Sequence, residues 1–222
     1  MGVTKSALSR GWKERTQQYE RAQVELVRVL GDVIADLSSE YHVRPVPFID
    51  GKQKTFESFY GKARRYEEEK RVSNTVDCFS EIKDIARARI ICQTLTDVDQ
   101  IRQLLEQNEA IDVAGEAQVH KGGERGYRGV HLEVEVNATV GGKPVATSCE
   151  VQIQTAVQFA WSLFTHKDFY KGEDVPDYVR ELMAELSNLL HVADRVASTL
   201  IKTVEQRAGV DQSVRRVPAV VE

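Results

Sequence analysis

Two carboxylates are the residues best placed to do chemistry. Asp84 stands at the entrance of an apolar run, Ile85 to Cys92, and Glu150 opens the run EVQIQT. Val151 and Ile153 alternate there with Gln152 and Gln154, a strand period that turns Glu150 to the same side as the two glutamines. From Val157 the apolar residues Val157, Ala160, Trp161 and Phe164 change to helical spacing, and His166, Lys167 and Lys171 follow them. Carboxylates on neighbouring strands can hold Mg2+ against the phosphates of a nucleotide, because that ion prefers oxygen ligands and keeps several waters. Such an ion neutralises charge at a phosphorus centre during transfer.

Cations suited to the remaining phosphate oxygens lie upstream. Lys52, Lys54, Lys62, Arg64 and Arg65 crowd one segment. A solvated basic face is the ordinary reading of such a run. The sharper reading is a phosphate clamp, with Lys54, Ser58 and Lys62 at i, i+4 and i+8 beside a helix N-terminus capped by Thr55. Arg87 and Arg89 share one face of the Ile85–Cys92 strand, and an Arg fork recognises phosphate or stacks on a base. Tyr127, in a glycine-rich stretch from His120 to Arg128 that reads as a loop, is a second stacking candidate.

The elements around these residues predict an α+β (α/β) chain. A helix is expected over 6–39, an extended or turning stretch over 40–51 that contains Pro45 and Pro47, and a helix from Thr55 to about Val72. A polar connection with one helical turn over 77–84 precedes the strand, and a helix over 96–106 capped by Thr96 or Asp97 follows it. A short strand over 111–119, a strand over 129–136, a Gly141-Gly142 hairpin and a returning strand over 144–153 come next. A last helix spans about 176–206. This order predicts a mixed sheet of about four to five strands with flanking helices and long N- and C-terminal helices. One domain over 1–207 is expected, with its core at about 52–171 and a mobile tail over 208–222. The terminal helices either pair subunits, making a homo-oligomer, or pack on their own sheet.

Composition narrows the classes. With 222 residues, 41% hydrophobic and 29% charged, the chain is an ordinary globular protein. A net charge of -4 gives no global basic field for nucleic acid. No apolar run approaches a membrane span, and the N-terminus lacks a signal-peptide core. Three dispersed cysteines, Cys78, Cys92 and Cys149, read as reduced thiols, and the expected location is cytoplasmic. The chain has no GxxxxGK[ST] loop, no GxGxxG after a strand, and no GxSxG or HExxH.

Four stretches in register resemble the RelA/SpoT-type alarmone synthetases. KTFESFYGK (54–62) is similar to that family's basic helix start, and DIARARI (84–90) to its Asp-x-x-x-x-Arg-Ile strand. GYRGVHL (126–132) is similar to its GYRSxH stretch, and EVQIQT (150–155) with the later Ala160-Trp161, His166-Lys167 and Tyr170-Lys171 to its strand and helix. The resemblance implies a nucleotidyltransferase-like synthetase fold and a Mg2+-dependent pyrophosphokinase. The β,γ-pyrophosphate of ATP would move to the 3′-hydroxyl of GDP or GTP, making (p)ppGpp. It implies that Asp84 binds metal and that Glu150 binds metal or acts as general base. Lys52, Lys54, Ser58, Lys62 and Arg65 would lie on the ATP side with Arg89 on adenine. Tyr127, His131, Gln152, His166, Lys167 and Lys171 would line the acceptor side. Five positions depart from the family pattern: Lys52 for Arg, Arg87 for Gly, Gly129 for Ser, Gln154 for Arg, and Thr165 for Glu. Gln154 and Thr165 fall on the acceptor side. They leave open a toxic relative that modifies the 3′ end of tRNA or an adenosine nucleotide and is paired with an antitoxin, and a degenerate nucleotide-binding module. A chain of this length is expected to synthesise without degrading.

Overall fold

The structure, a computed structural model, describes residues 3–40, 48–51, 53–109, 111–122, 126–165 and 176–207; side chains at 36–40, 48–50 and 205–207 are set aside. The elements in order are α1 (Lys5–Glu40), β1 (Phe48–Gly51), α2 (Phe56–Glu68), α3 (Thr75–Glu81), β2 (Ala86–Cys92) and α4 (Leu95–Gln107). There follow β3 (Asp112–Val113), β4 (Gln118–Gly122), β5 (Tyr127–Val140), β6 (Lys143–Thr155), α5 (Ala156–Phe164) and α6 (Asp177–Arg207).

The strands form one mixed sheet in the order β1-β2-β6-β5-β3, with β4 also paired to β5. Among the described residues the path holds five strands, within the mixed sheet expected, and β4 adds a sixth that pairs with β5 off that path. The proline-containing stretch ends in the edge strand β1, and the single strand expected over 111–119 is two, β3 and β4. β2 and β6 run parallel; the other pairs are antiparallel, including β5 and β6 joined by the Gly141-Gly142 hairpin. Both glycines of that turn have positive φ, as a tight hairpin requires.

Alternation gives the sheet two unlike faces. Ala86, Ala88 and Ile90 on β2, Val130, Leu132 and Val134 on β5, and Cys149, Val151 and Ile153 on β6 are buried together. The stripe Tyr19, Ala22, Leu26, Val29, Leu30, Val33 and Ile34 of α1 belongs to the same core. Trp12, Phe59 and Phe79 extend it under α2, with ring centroids 5.1 and 4.8 Å from Phe59. The opposite face carries Arg87 and Arg89, Gly129, His131 and Glu133, and Glu150, Gln152 and Gln154. One face supplies the core, the other the polar site.

Helix ends follow side-chain capping. Thr55 caps α2 as expected and accepts from the Ser58 backbone N–H. That helix stops at Glu68, short of Val72, because Lys70 turns left-handed at φ 58° and the Arg71 N–H closes back on the Tyr66 carbonyl. Thr94, not Thr96 or Asp97, caps α4; Asp97 is the third residue of its capping box. The stretch 120–128 is not a loop at its ends, since β4 runs to Gly122 and β5 begins at Tyr127. Cys78, Cys92 and Cys149 are free and buried. Among the described residues no helix is long and apolar enough to cross a membrane.

Candidate active site

Asp84 lies just before β2, buried beside the start of α2. Its two carboxylate oxygens accept from different lysines: Oδ2 from Lys54 Nζ at 2.5 Å and Oδ1 from Lys62 Nζ at 3.0 Å. Lys54 precedes the Thr55 cap instead of continuing the helical face expected for Lys54, Ser58 and Lys62. Its backbone N–H donates to the Ile85 carbonyl at 2.8 Å, which pins α2 to the entrance of β2. Burial works to raise the Asp84 carboxyl, but the charges and hydrogen bonds of Lys54 and Lys62 outweigh it and hold the group below its ordinary value. Burial lowers Lys54 despite its partner, whereas at Lys62 the attraction of Asp84 outweighs burial and the ammonium is raised.

Glu150 sits inside β6, not at a strand end. The register places it between Arg87 of β2 and Glu133 of β5; the next row is Arg89, Gln152 and His131, and beyond it Gln154 stands beside Ile91, with Gly129 packed against the Gln154 side chain. These rows make a continuous network. Arg89 donates through Nε and Nη2 to Gln152 Oε1 at 3.2 and 2.9 Å. Gln152 Nε2 donates to Glu150 Oε1 at 2.6 Å. Glu150 Oε2 lies 3.4 Å from His131 Nδ1, and His131 Nε2 shares a 2.6 Å hydrogen bond with the Tyr127 hydroxyl. Burial pushes Glu150 upward, but the hydrogen bond and charge of His131, helped by Gln152, hold its carboxyl below the usual range. Burial and the Glu150 charge push the Tyr127 phenol upward, so it stays protonated.

The two clusters face each other electrostatically: the Asp84 charge acts on Glu150, and Glu150 in turn favours the charged form of Lys62. The chemistry of the donors fits a divalent cation held mainly by water and phosphate oxygens, since two ionised carboxylates are what such an ion uses. Both Asp84 oxygens are engaged by lysine, so an ion bound there would compete with Lys54 and Lys62. No group of three or more His, Cys, Asp or Glu able to cage a metal occurs among the described residues.

Several predicted residues take unforeseen places. Arg65 is exposed and pairs with Glu69 at 3.6 Å, outside both clusters. Ser58 is half-buried in the first turn of α2. Lys52, His166, Lys167 and Lys171 lie outside the described residues. Residues that sequence reasoning passed over also join the site. The Arg89 guanidinium sits 4.8 Å from the Phe159 ring of α5. His120 meets His131 and Tyr127 edge-on, at 4.5 and 5.3 Å between centroids. The β4–β5 register explains it, since His120 stands opposite Gly129 and so on the face of His131; strand alternation through 118–122 would have shown this.

Gln154 is fully buried, its amide donating to the Arg128 carbonyl at 3.0 Å and to Ser162 Oγ at 3.2 Å. A Cβ added at Gly129 would lie 3.0 Å from Gln154 Cγ. Two of the departures noted in the sequence, Gly129 and Gln154, therefore lie against each other, and the glycine leaves room for the glutamine. Thr165 ends α5, its hydroxyl donating back to the Trp161 carbonyl at 2.9 Å.

The structure thus brings a lysine-clamped Asp84 and a hydrogen-bonded Glu150 together at the polar side of the mixed sheet of an α+β fold. The family model described as "Region found in RelA / SpoT proteins" matches residues 51–175, more than half of the chain, and the chain belongs to that family. Among curated relatives, GTP pyrophosphokinase YwaC of Bacillus subtilis (strain 168) is 27% identical over 202 residues, covering 87% of this chain and 92% of its own. The small alarmone synthetase 1 of Bacillus subtilis bound to its product pppGpp superposes with a TM-score of 0.74 at 26% identity, covering 89% of this chain and 99% of its own. The same enzyme bound to AMPCPP gives 0.73 at 24%, with the same shares covered, and shows the fold.

Proposed function

We propose that the chain is a pyrophosphokinase of the alarmone-synthetase type, moving the β,γ-pyrophosphate of ATP to the 3′-hydroxyl of GDP or GTP. The observation that carries this reading is a lysine-clamped carboxylate, Asp84, at the entrance of β2, near enough for its charge to act on a second ionised carboxylate, Glu150, held by His131 and Gln152. The acceptor hydroxyl oxygen attacks the β-phosphorus and gives up its proton to solvent, the bond from that phosphorus to the α,β-bridging oxygen breaks, and AMP leaves with that oxygen. Lys54 and Lys62 neutralise phosphate oxygens as charge shifts toward AMP. Bound Mg2+, with Asp84 and Glu150 as its protein ligands, would supply further charge neutralisation at the phosphates. A depressed Glu150 carboxyl is a weak proton acceptor, which favours cation holding over general-base work for this residue. Arg89, braced by Phe159 and Gln152, offers a face to adenine, and Tyr127 and His131 border the acceptor.

Gln154 motivates a second reading for the acceptor alone. Where the family pattern has a cation this chain has a buried amide turned to Arg128 and Ser162, so an adenosine nucleotide or a tRNA 3′ end competes with GDP and GTP as acceptor. A tRNA acceptor would need a basic docking face outside the site, for which Lys5, Arg10, Lys13 and Arg15 of α1 with Arg64 and Arg65 are candidates; of these Lys5 pairs with Glu57 at 3.3 Å and Arg15 lies over Phe79. Purified chain with labelled ATP, Mg2+ and GDP, GTP, ADP or deacylated tRNA separates these. Label in guanosine tetra- or pentaphosphate, lost in E150A, is the expected result. Label in tRNA alone overturns the acceptor assignment, and transfer that survives in E150A overturns the site.

A further inference from the structure

Arg87 brings into the site a guanidinium that the transfer described above leaves unused. β2 alternates buried and half-buried positions, and Arg87 takes a half-buried one on the polar face, as Arg89 does. Its neighbour across the parallel pairing of β2 with β6 is Glu150. Opposite charges set side by side on neighbouring strands ordinarily pair. Here no ion pair forms, and both Glu150 oxygens are engaged elsewhere: Oε1 accepts from Gln152 Nε2 at 2.6 Å, and Oε2 lies 3.4 Å from His131 Nδ1.

The other described cations around the two carboxylates are committed. Lys54 and Lys62 clamp Asp84, Arg89 donates to Gln152 and lies over Phe159, and Lys83 reaches Glu133 at 3.4 Å. Arg87 has neither a hydrogen bond nor an ion pair among the described residues. A half-buried guanidinium without an acceptor inside a polar site is a set of donors kept for a ligand. Its place says which ligand. Burial dominates at Lys54 and at Tyr127, and beyond it the Arg87 charge opposes the Lys54 ammonium and favours ionisation of the Tyr127 phenol. The guanidinium is therefore within electrostatic reach of both clusters. An anion that touches the Asp84 lysines and extends toward Glu150 and Tyr127 passes Arg87 on the way, and a polyphosphate chain is such an anion. The planar fork matches two oxygens of one phosphate, or one oxygen on each of two adjacent phosphates. Arg87 is also one of the departures noted in the sequence, a side chain where the family pattern has glycine, so the group belongs to this chain and not to that pattern.

We propose that Arg87 is a further catalytic residue, its guanidinium holding non-bridging oxygens of the β- and γ-phosphates of ATP between the Asp84 and Glu150 clusters. The assignment rests on the pyrophosphokinase reading. As the acceptor oxygen bonds to the β-phosphorus and its proton passes to solvent, AMP leaves with the α,β-bridging oxygen. Arg87 stays protonated throughout and donates hydrogen bonds to the oxygens of the moving group, a stabilisation that needs no rearrangement at the moment of transfer.

The test joins transfer kinetics to ligand binding in the full chain. With Mg2+, labelled ATP and whichever of GDP, GTP, ADP or deacylated tRNA the parent accepts, Arg87→Gln should lose about a hundredfold in kcat/KM for ATP. Arg87→Lys, which keeps the charge without the fork, should lose about tenfold. In calorimetric titrations the α,β-methylene analogue of ATP should bind Arg87→Gln at least about tenfold more weakly than the parent, with AMP binding unchanged because AMP lacks the two phosphates. Millimolar guanidinium should raise transfer by Arg87→Gly several-fold and leave Arg87→Lys as it was. A purely structural Arg87 would weaken AMP and the analogue alike and show no guanidinium rescue, which overturns the proposal. Transfer by Arg87→Gln within about threefold of the parent, or an unchanged analogue affinity, overturns it too and leaves the pyrophosphokinase reading standing. A parent chain that transfers to no acceptor removes that reading instead, and the comparison of the analogue with AMP still decides for or against Arg87 as a phosphate ligand.

Discussion

Removing the Asp84 charge is the perturbation whose consequence follows most directly from the geometry. The carboxylate, 11% accessible, faces Lys54 at 7% and Lys62 at 22%. At an effective dielectric of about 20, a charge pair at the observed 3.0 Å of Lys62 and Asp84 is worth about 5 kcal/mol before desolvation. Desolvation cancels much of that gain, so the pair adds little net stability over an apolar replacement, but breaking it strands buried ammonium groups at a cost of about 3 kcal/mol. D84N, which keeps shape and removes charge, should therefore lower the urea-unfolding free energy by about 3 kcal/mol at pH 7. K54M should cost less, because burial already disfavours the Lys54 charge. The double variant K54M/D84N should be more stable than D84N alone, with a coupling of about 2 kcal/mol in the double-mutant cycle. Pyrophosphate transfer should fall by more than about a hundredfold in D84N and stay low in the double variant, since recovered stability does not restore the carboxylate. The sign with pH is fixed by the depressed Asp84 carboxyl: its contribution is present above the ordinary value of 3.8 and is lost as pH falls through the lower folded value. The D84N deficit should accordingly shrink in acid. A D84N chain within about 0.5 kcal/mol of the parent, or a cycle with no coupling, would refute the clamp.

Phe159→Ala should raise KM for ATP about three- to tenfold with kcat changed less, because the lost cation–π support of Arg89 is worth about 1 kcal/mol; an unchanged KM would separate Arg89 from adenine. Asp194 is 1% accessible, and burial raises its carboxyl despite the Thr155 hydrogen bond. An acid raised on folding stabilises fully below its ordinary value of 3.8 and loses that contribution as pH rises through the folded value. Asp194→Asn should then increase the thermal midpoint at pH 7, with the gain vanishing near pH 4; a lower midpoint at pH 7 would show that the ionised form is the stabilising one.

Much of the site was legible in local pattern. Period-two alternation through EVQIQT put Glu150, Gln152 and Gln154 on one face, and the same argument put Arg87 and Arg89 together, since a strand's side-chain directions depend only on residue parity. Thr55 as a cap and the Gly141-Gly142 hairpin were local for the same reason: their hydrogen bonds and φ values involve residues a few positions apart. Tertiary structure decided which rows meet. The parallel β2–β6 register sets Arg89 beside Gln152, and the antiparallel β5–β6 register sets His131 against Glu150, pairings separated by 63 and 19 positions in the chain. No local period encodes such partners. The Asp84 clamp depends likewise on how α2 docks on the entrance of β2, and the Arg89–Phe159 contact on where α5 turns back. Sequence determined which side chains share a face; only the packed structure decided which of them meet, and it is the lysines at Asp84 and the His131 and Gln152 contacts at Glu150 that hold the two carboxyls ionised against the effect of burial.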